Sequence, residues 1–216
     1  MVELVDTTDL KSVGYAVPVR LRPRAPSITS LVNMNIFILD KLPQTNAASL
    51  CDQHVPKMIL ETTQIFCTAL HLNEVEIEGM YKPTHIHHPC VKWAAEHKNN
   101  CLYLFYYAYY LNEIFKRKSM YLNHKSYDVM YKVASCWINK MLPKFNVDFQ
   151  AQIKNTTPFV LAMPEECKVS EDPIECYREY YRYKNKQWIK EDKKEMRWSY
   201  NAKPIWFDHI FDDSTR

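Results

Sequence analysis

Asp52-Gln53-His54 and, seven residues beyond the histidine, Glu61 set two carboxylates and an imidazole along one short segment, with Lys57 between them. Spacings of three, four and seven residues bring side chains to one face of a helix. A carboxylate beside an amine is the pair that Schiff-base chemistry on a sugar requires: the amine attacks the anomeric carbon and the carboxylate moves protons. On this reading Glu61 handles protons, Lys57 is a nucleophile and His54 orients them. The same spacing equally fits a solvated Lys57–Glu61 pair worth about 0.3 kcal/mol, and the residues alone leave both readings open.

A second cluster is Thr84-His85-Ile86-His87-His88-Pro89-Cys90-Val91-Lys92-Trp93, followed by His97. Imidazole and thiolate are good zinc ligands, and Cys51 and His54 would extend the set. The spacing matches no standard finger or ribbon, so no metal and no small-molecule cofactor is expected. His88 before Pro89 also reads as a helix entry and Trp93 as core. Thr84, His85 and His88 are candidates for contacting a phosphate or a base edge. A metal-dependent nuclease or hydrolase built on His85, His88 and Cys90 is the rival enzyme reading.

The third cluster is basic and aromatic. Lys116-Arg117-Lys118 close an apolar run, and Arg197, Trp198, Tyr200 and Lys203 follow Lys184, Lys186, Lys190, Lys193 and Lys194 near the C-terminus. Cations interleaved with aromatic rings track phosphates and stack on bases. Cations at a helix end also complement its dipole without any ligand. Double-stranded DNA is the expected partner, and a non-enzymatic nucleic-acid-binding module is the rival that needs no catalysis.

The elements that must carry these residues read as helices. Ile36-Phe37-Ile38-Leu39 is a buried strand or extended arm, and Asn46 is expected to cap a short helix. A helix from about 53–55 to 71 turns Met58, Thr62, Ile65, Phe66 and Ala69 to a core, leaving His54, Lys57, Glu61, Gln64 and Thr68 as a polar stripe. Further helices are expected from Pro89, over Cys101–Lys118, from a Ser126 cap to Met141, and from Pro173 behind an Asp172 cap. A proline-punctuated loop, 143–164, precedes the last of these. The fold class is all-α: one compact helical domain of about five helices with an irregular C-terminal tail.

Composition narrows the function. Among 216 residues there are only two glycines, which excludes glycine-rich dinucleotide loops, phosphate loops and nucleophile elbows. It also suggests helices that end at Asn instead of Gly. The seven cysteines are an odd count without CxxC spacing, pointing to reduced thiols in a cytoplasm. The apolar run Leu102–Leu111 is too short to cross a bilayer, so no membrane is expected. A net charge of +3 is compatible with DNA without demanding it. Residues 1–26 back-translate to a leucine transfer-RNA-like gene, which sets residues 1–33 apart. They are expected to be a non-native, disordered leader before a body at 34–216 that starts at Met34, in a phage or other mobile genome expressed in host cytoplasm.

The Asp52-Gln53-His54 segment with Glu61 resembles the start of the catalytic helix in pyrimidine-dimer DNA glycosylases of the endonuclease V type. Trp198-Ser199-Tyr200-Asn201-Ala202-Lys203-Pro204-Ile205-Trp206 is similar to that family's aromatic-basic C-terminal segment. The resemblance implies a compact all-α DNA-repair enzyme that cuts the glycosidic bond of a damaged pyrimidine and then breaks the backbone by β-elimination. It implies the essential glutamate at Glu61 and the histidine at His54. The family's nucleophile is the α-amine of a processed threonine; here Met34 or, after its removal, Asn35 stands at that place, with Lys57 as the substitute amine. The MNIF-like opening and the THxxHPCxxW block also resemble uncharacterised phage and bacterial proteins, a likeness that carries no activity.

Overall fold

The computed structural model describes residues 34–141 and 155–208. Contacts divide the chain into Met1–Ser30 and a compact unit, Leu31–Arg216. Residues 1–33, expected above to be a leader, residues 142–154 of the proline-punctuated loop and residues 209–216 lie outside the described residues.

The described residues are helical, with no strand. Helix α1 is Pro43–Ala48, α2 His54–Leu72, α3 Pro89–Glu96, α4 Lys98–Lys118, α5 Lys125–Met141, α6 Pro173–Lys190 and α7 Ile205–Asp208, with a 3₁₀ turn at Glu165–Cys167 before α6. Proline opens α1, α3 and α6, where its missing N–H costs nothing and its fixed φ already suits a helix. Asp172 caps α6 through its carboxylate, as expected.

Two expected caps fall elsewhere. Asn46 lies inside α1, where its side chain accepts from the Leu39 N–H at 2.7 Å and donates to the Tyr103 hydroxyl at 2.9 Å, pinning the arm that precedes it. Ser126 lies in the first turn of α5, and its N–H donates to Nδ1 of His124. His88 and His97 use the same device at α3 and α4, each ring nitrogen accepting from the N–H two residues on. With glycine scarce, left-handed backbone beyond helix ends falls to Glu74, Met120 and Asp192. Asn73 and Ser119 stop one residue short of it.

Helix α4 is the central rod, and α1, α2, α3 and α5 all pack on it. Tyr103, Tyr107, Leu104 and Leu111 along it are fully buried. The segment 34–39 is extended and buried without pairing as a strand. Its backbone is tied by side chains: Arg178 Nε donates to Leu39 O, and the Tyr107 hydroxyl to Phe37 O. Phe37 sits among Tyr177, Tyr180 and Tyr181 of α6. The arm is thereby held between α2 and α6, the arrangement that creates the site. All seven cysteines are free thiols. No described helix is long and apolar enough to cross a membrane.

Candidate active site

The polar stripe of α2 is not a solvated face. His54 and Glu61 are 2% and 7% exposed, covered by the segment 34–39 and α6, while Lys57 is exposed and Gln64 half-buried. A helix covered by neighbours on several sides buries side chains that its own periodicity assigns to the outside.

Glu61 accepts a hydrogen bond from the backbone N–H of Asn35, N to Oε2 3.0 Å. Its other oxygen lies 3.5 Å from Lys57 Nζ, one helical turn earlier. Burial pushes the Glu61 carboxyl above the usual carboxylate range, opposed by the Asn35 N–H and by the Lys57 and Lys184 cations. A carboxyl whose proton is favoured by burial and opposed by neighbouring donors and cations is placed for acid–base work.

Asn35 is fixed by its side chain: Nδ2 donates to Ala162 O at 2.6 Å, and Oδ1 accepts from the Tyr177 hydroxyl at 3.3 Å. Those contacts seat its backbone nitrogen at the carboxylate. Met34 beside it is 4% exposed.

His54 serves the site from beneath. Its ring stacks on Phe37 with centroids 5.0 Å apart, and its Nδ1 lies 2.8 Å from the Tyr181 hydroxyl. Burial, reinforced by Lys184 and Lys57, lowers its pKa to about 3, so the imidazole is neutral. It props the arm two residues beyond Asn35.

Asp52 and Gln53 take no part in this chemistry. Asp52 accepts from the Ser199 N–H with both oxygens, and its own N–H donates to Arg197 O at 2.7 Å. Gln53 donates to Glu195 O and accepts from the Arg197 N–H. The motif's first two residues clasp the C-terminal tail, and only His54 and Glu61 turn inward.

By sequence Lys184 is one of several cations toward the C-terminus. It lies on α6, its Nζ 5.1 Å above the Tyr180 ring and 6.0 Å from Phe37, and burial and repulsion from Lys57 lower its pKa. Tyr177, Tyr180, Tyr181 and Lys184 recur at three- and four-residue spacing, so a shared face was visible. That this face meets Glu61 was not.

The remaining candidates are spread out. Thr84 and His85 lie on the α2–α3 connection, with Thr84 Oγ1 2.7 Å from His85 Nδ1 and the Thr84 N–H donating to Thr68, about 10 Å along α2 from Glu61. His88 spends Nδ1 on its cap, and the Cys90 thiol is buried and points to Asn35 Oδ1. Among the described residues no three His, Cys, Asp or Glu side chains gather as a metal site. Lys116 pairs with Glu113, while Arg117 donates to Tyr200 O and Asn201 Oδ1. Trp198 is partly buried, donating to Ser49 O with its ring against Phe207; Tyr200 also packs on the core. Arg197 and Lys203 are exposed, the latter paired with Asp208 at 2.5 Å. A cleft of about 900 Å³ between Asp40–Leu42, 156–159 and Arg178 has none of the candidate residues in its lining.

Fold and site define a compact helical protein with a buried carboxylate, Glu61, set against the backbone of the extended segment 34–39. Residues 34–129, somewhat under half the chain, match the family model described as pyrimidine dimer DNA glycosylase. This is the family that the Asp52 to Glu61 segment resembles, and the match supports a pyrimidine-dimer-glycosylase type of function. It takes in Asn35, His54, Lys57 and Glu61 and stops before α6. The curated proteins and the solved structures give no match.

Proposed function

We propose that this chain is a DNA glycosylase and abasic-site lyase acting on damaged pyrimidines in duplex DNA through a Schiff base. The observation that carries the proposal is the 3.0 Å contact between the Asn35 nitrogen and the buried Glu61 carboxylate. When translation starts at Met34 and that residue is removed, this nitrogen becomes a primary α-amine. Such an amine titrates near pH 8, about two units below a lysine side chain, so more of it is nucleophilic at neutral pH.

The amine lone pair attacks C1′, and the glycosidic bond breaks with its electrons leaving on the base, which takes up a proton. Proton transfer through Glu61 to the ring oxygen opens the sugar to the iminium. Loss of a C2′ proton to the same carboxylate then expels the 3′ phosphate. Lys57, 3.5 Å from Glu61, is the competing amine. The exposed cations Arg117, Lys118 and Arg197 would hold the phosphate backbone.

The test is borohydride trapping on ultraviolet-irradiated and abasic duplexes, with a chain begun at Met34 and one whose first residue is Asn35 after site-specific proteolysis. A covalent adduct is expected. No adduct and no strand cleavage with either chain would end the reading.

A further inference from the structure

The connection between α4 and α5 raises three consecutive apolar side chains into solvent: Met120, Tyr121 and Leu122 are 89%, 83% and 70% exposed. Met120 and Tyr121 also adopt left-handed backbone, φ +54° and +69°. A β-carbon is disfavoured there, and consecutive non-glycine examples persist only where surrounding structure imposes them.

Here the surroundings do so. The Tyr121 N–H donates to Lys116 O at 2.8 Å, the Leu122 N–H to Ser119 O, and Ser119 Oγ to Leu122 O at 2.6 Å. Buried Asn112 holds the far side, donating to Asn123 Oδ1 and accepting from the His124 N–H. The turn is a rigid mount, and what it presents is apolar.

Between 116 and 125 the chain carries Lys116, Arg117, Lys118 and Lys125 and no carboxylate. The nearest acids in sequence are Glu113, paired with Lys116, and Asp128, which accepts from the Asn123 amide. An apolar tip flanked in sequence by the exposed cations Arg117, Lys118 and Lys125 matches duplex DNA, whose phosphates meet the cations and whose base stack admits the tip once a step opens. We propose that Met120-Tyr121-Leu122 is a wedge that enters a base step and occupies the space left by an unstacked base. This rests on the DNA-processing function proposed above.

The experiment uses duplexes carrying 2-aminopurine beside an abasic-site analogue, compared between wild type and a variant with Met120→Asn, Tyr121→Asn and Leu122→Ser. Asn tolerates left-handed backbone, so the mount should survive, and Tyr121→Asn alone provides a milder second variant. Wild type should raise the fluorescence. The triple variant should abolish that rise and bind roughly ten- to a hundredfold more weakly, with melting temperature unchanged or higher. Arg117→Gln with Lys118→Gln should weaken binding and flatten its salt dependence while keeping the fluorescence rise. If wild type traps and cleaves damaged duplex and the triple variant matches it in affinity and fluorescence, the wedge is refuted and the glycosylase reading stands. If wild type binds no duplex, both fall. If the tip instead drives binding to phosphatidylserine vesicles that duplex does not compete, the surface is a lipid contact and the proposal is overturned.

Discussion

The backbone nitrogen of Asn35 and Oε2 of Glu61, 26 residues apart in sequence, meet at 3.0 Å in the interior of the domain. Glu61 lies on α2 and Asn35 on the extended segment before α1. The arm is brought there by α6, through Tyr177 on the Asn35 side chain and Arg178 on Leu39 O.

Glu61→Gln should keep the fold and DNA binding while lowering strand cleavage by about a hundredfold, the scale of a positioned acid or base. It should also stabilise the protein. Burial raises the Glu61 pKa, so its contribution is favourable below the ordinary carboxylate range and is lost as pH rises through the raised value. A neutral amide at this position removes that cost, so the variant should melt higher than wild type at pH 7, with the difference gone near pH 4. A lower melting temperature at pH 7 would show that the charged carboxylate is net stabilising.

Peptide mapping of the borohydride adduct should place it on the Asn35 nitrogen. Lys57→Arg keeps a cation beside Glu61 but supplies a guanidinium that never loses its proton, so trapping should survive it. Loss of the adduct with DNA binding intact would move the nucleophile to Lys57.

Stability should decline with acid through His54. Its pKa of about 3 in the fold lies below the ordinary 6.5, so the stabilisation is complete above pH 6.5 and drains as pH falls toward 3. Over that window each pH unit costs about 1.4 kcal/mol from this group. His54→Phe keeps an aromatic ring against Phe37, and the Tyr181 hydroxyl retains Cys51 Sγ at 3.2 Å. Urea unfolding at pH 7 and pH 5 should show a smaller loss for the variant than for wild type. Equal losses would mean that His54 titrates normally.

Elemental analysis after dialysis should find no stoichiometric zinc. His88 Nδ1 is committed to the Cys90 N–H and the Cys90 thiol to Asn35. About one equivalent of zinc would revive the metal-dependent hydrolase reading.

Local rules were enough to read the helices out of the sequence, because proline at a helix start, an Asp172 cap and 3.6-residue periodicity in α2 act within a turn or two of chain. They also brought Lys57 and Glu61 together, since i,i+4 neighbours meet on any helix. Asn46 and Ser126 satisfy the local rule for a cap, as any Asn or Ser near a helix start does. Only the tertiary partners, Tyr103 for Asn46 and His124 for Ser126, decide where each side chain goes. Asp52 and Gln53 share a segment with His54, yet the tail from Glu195 to Ser199 claims them. Whether Glu61 is solvated or buried, and whether its companion is Lys57, Lys184 or the Asn35 nitrogen, depends on α6 folding back over the arm from more than a hundred residues away. Periodicity reports which side chains share a face of one helix; only packing decides what that face meets.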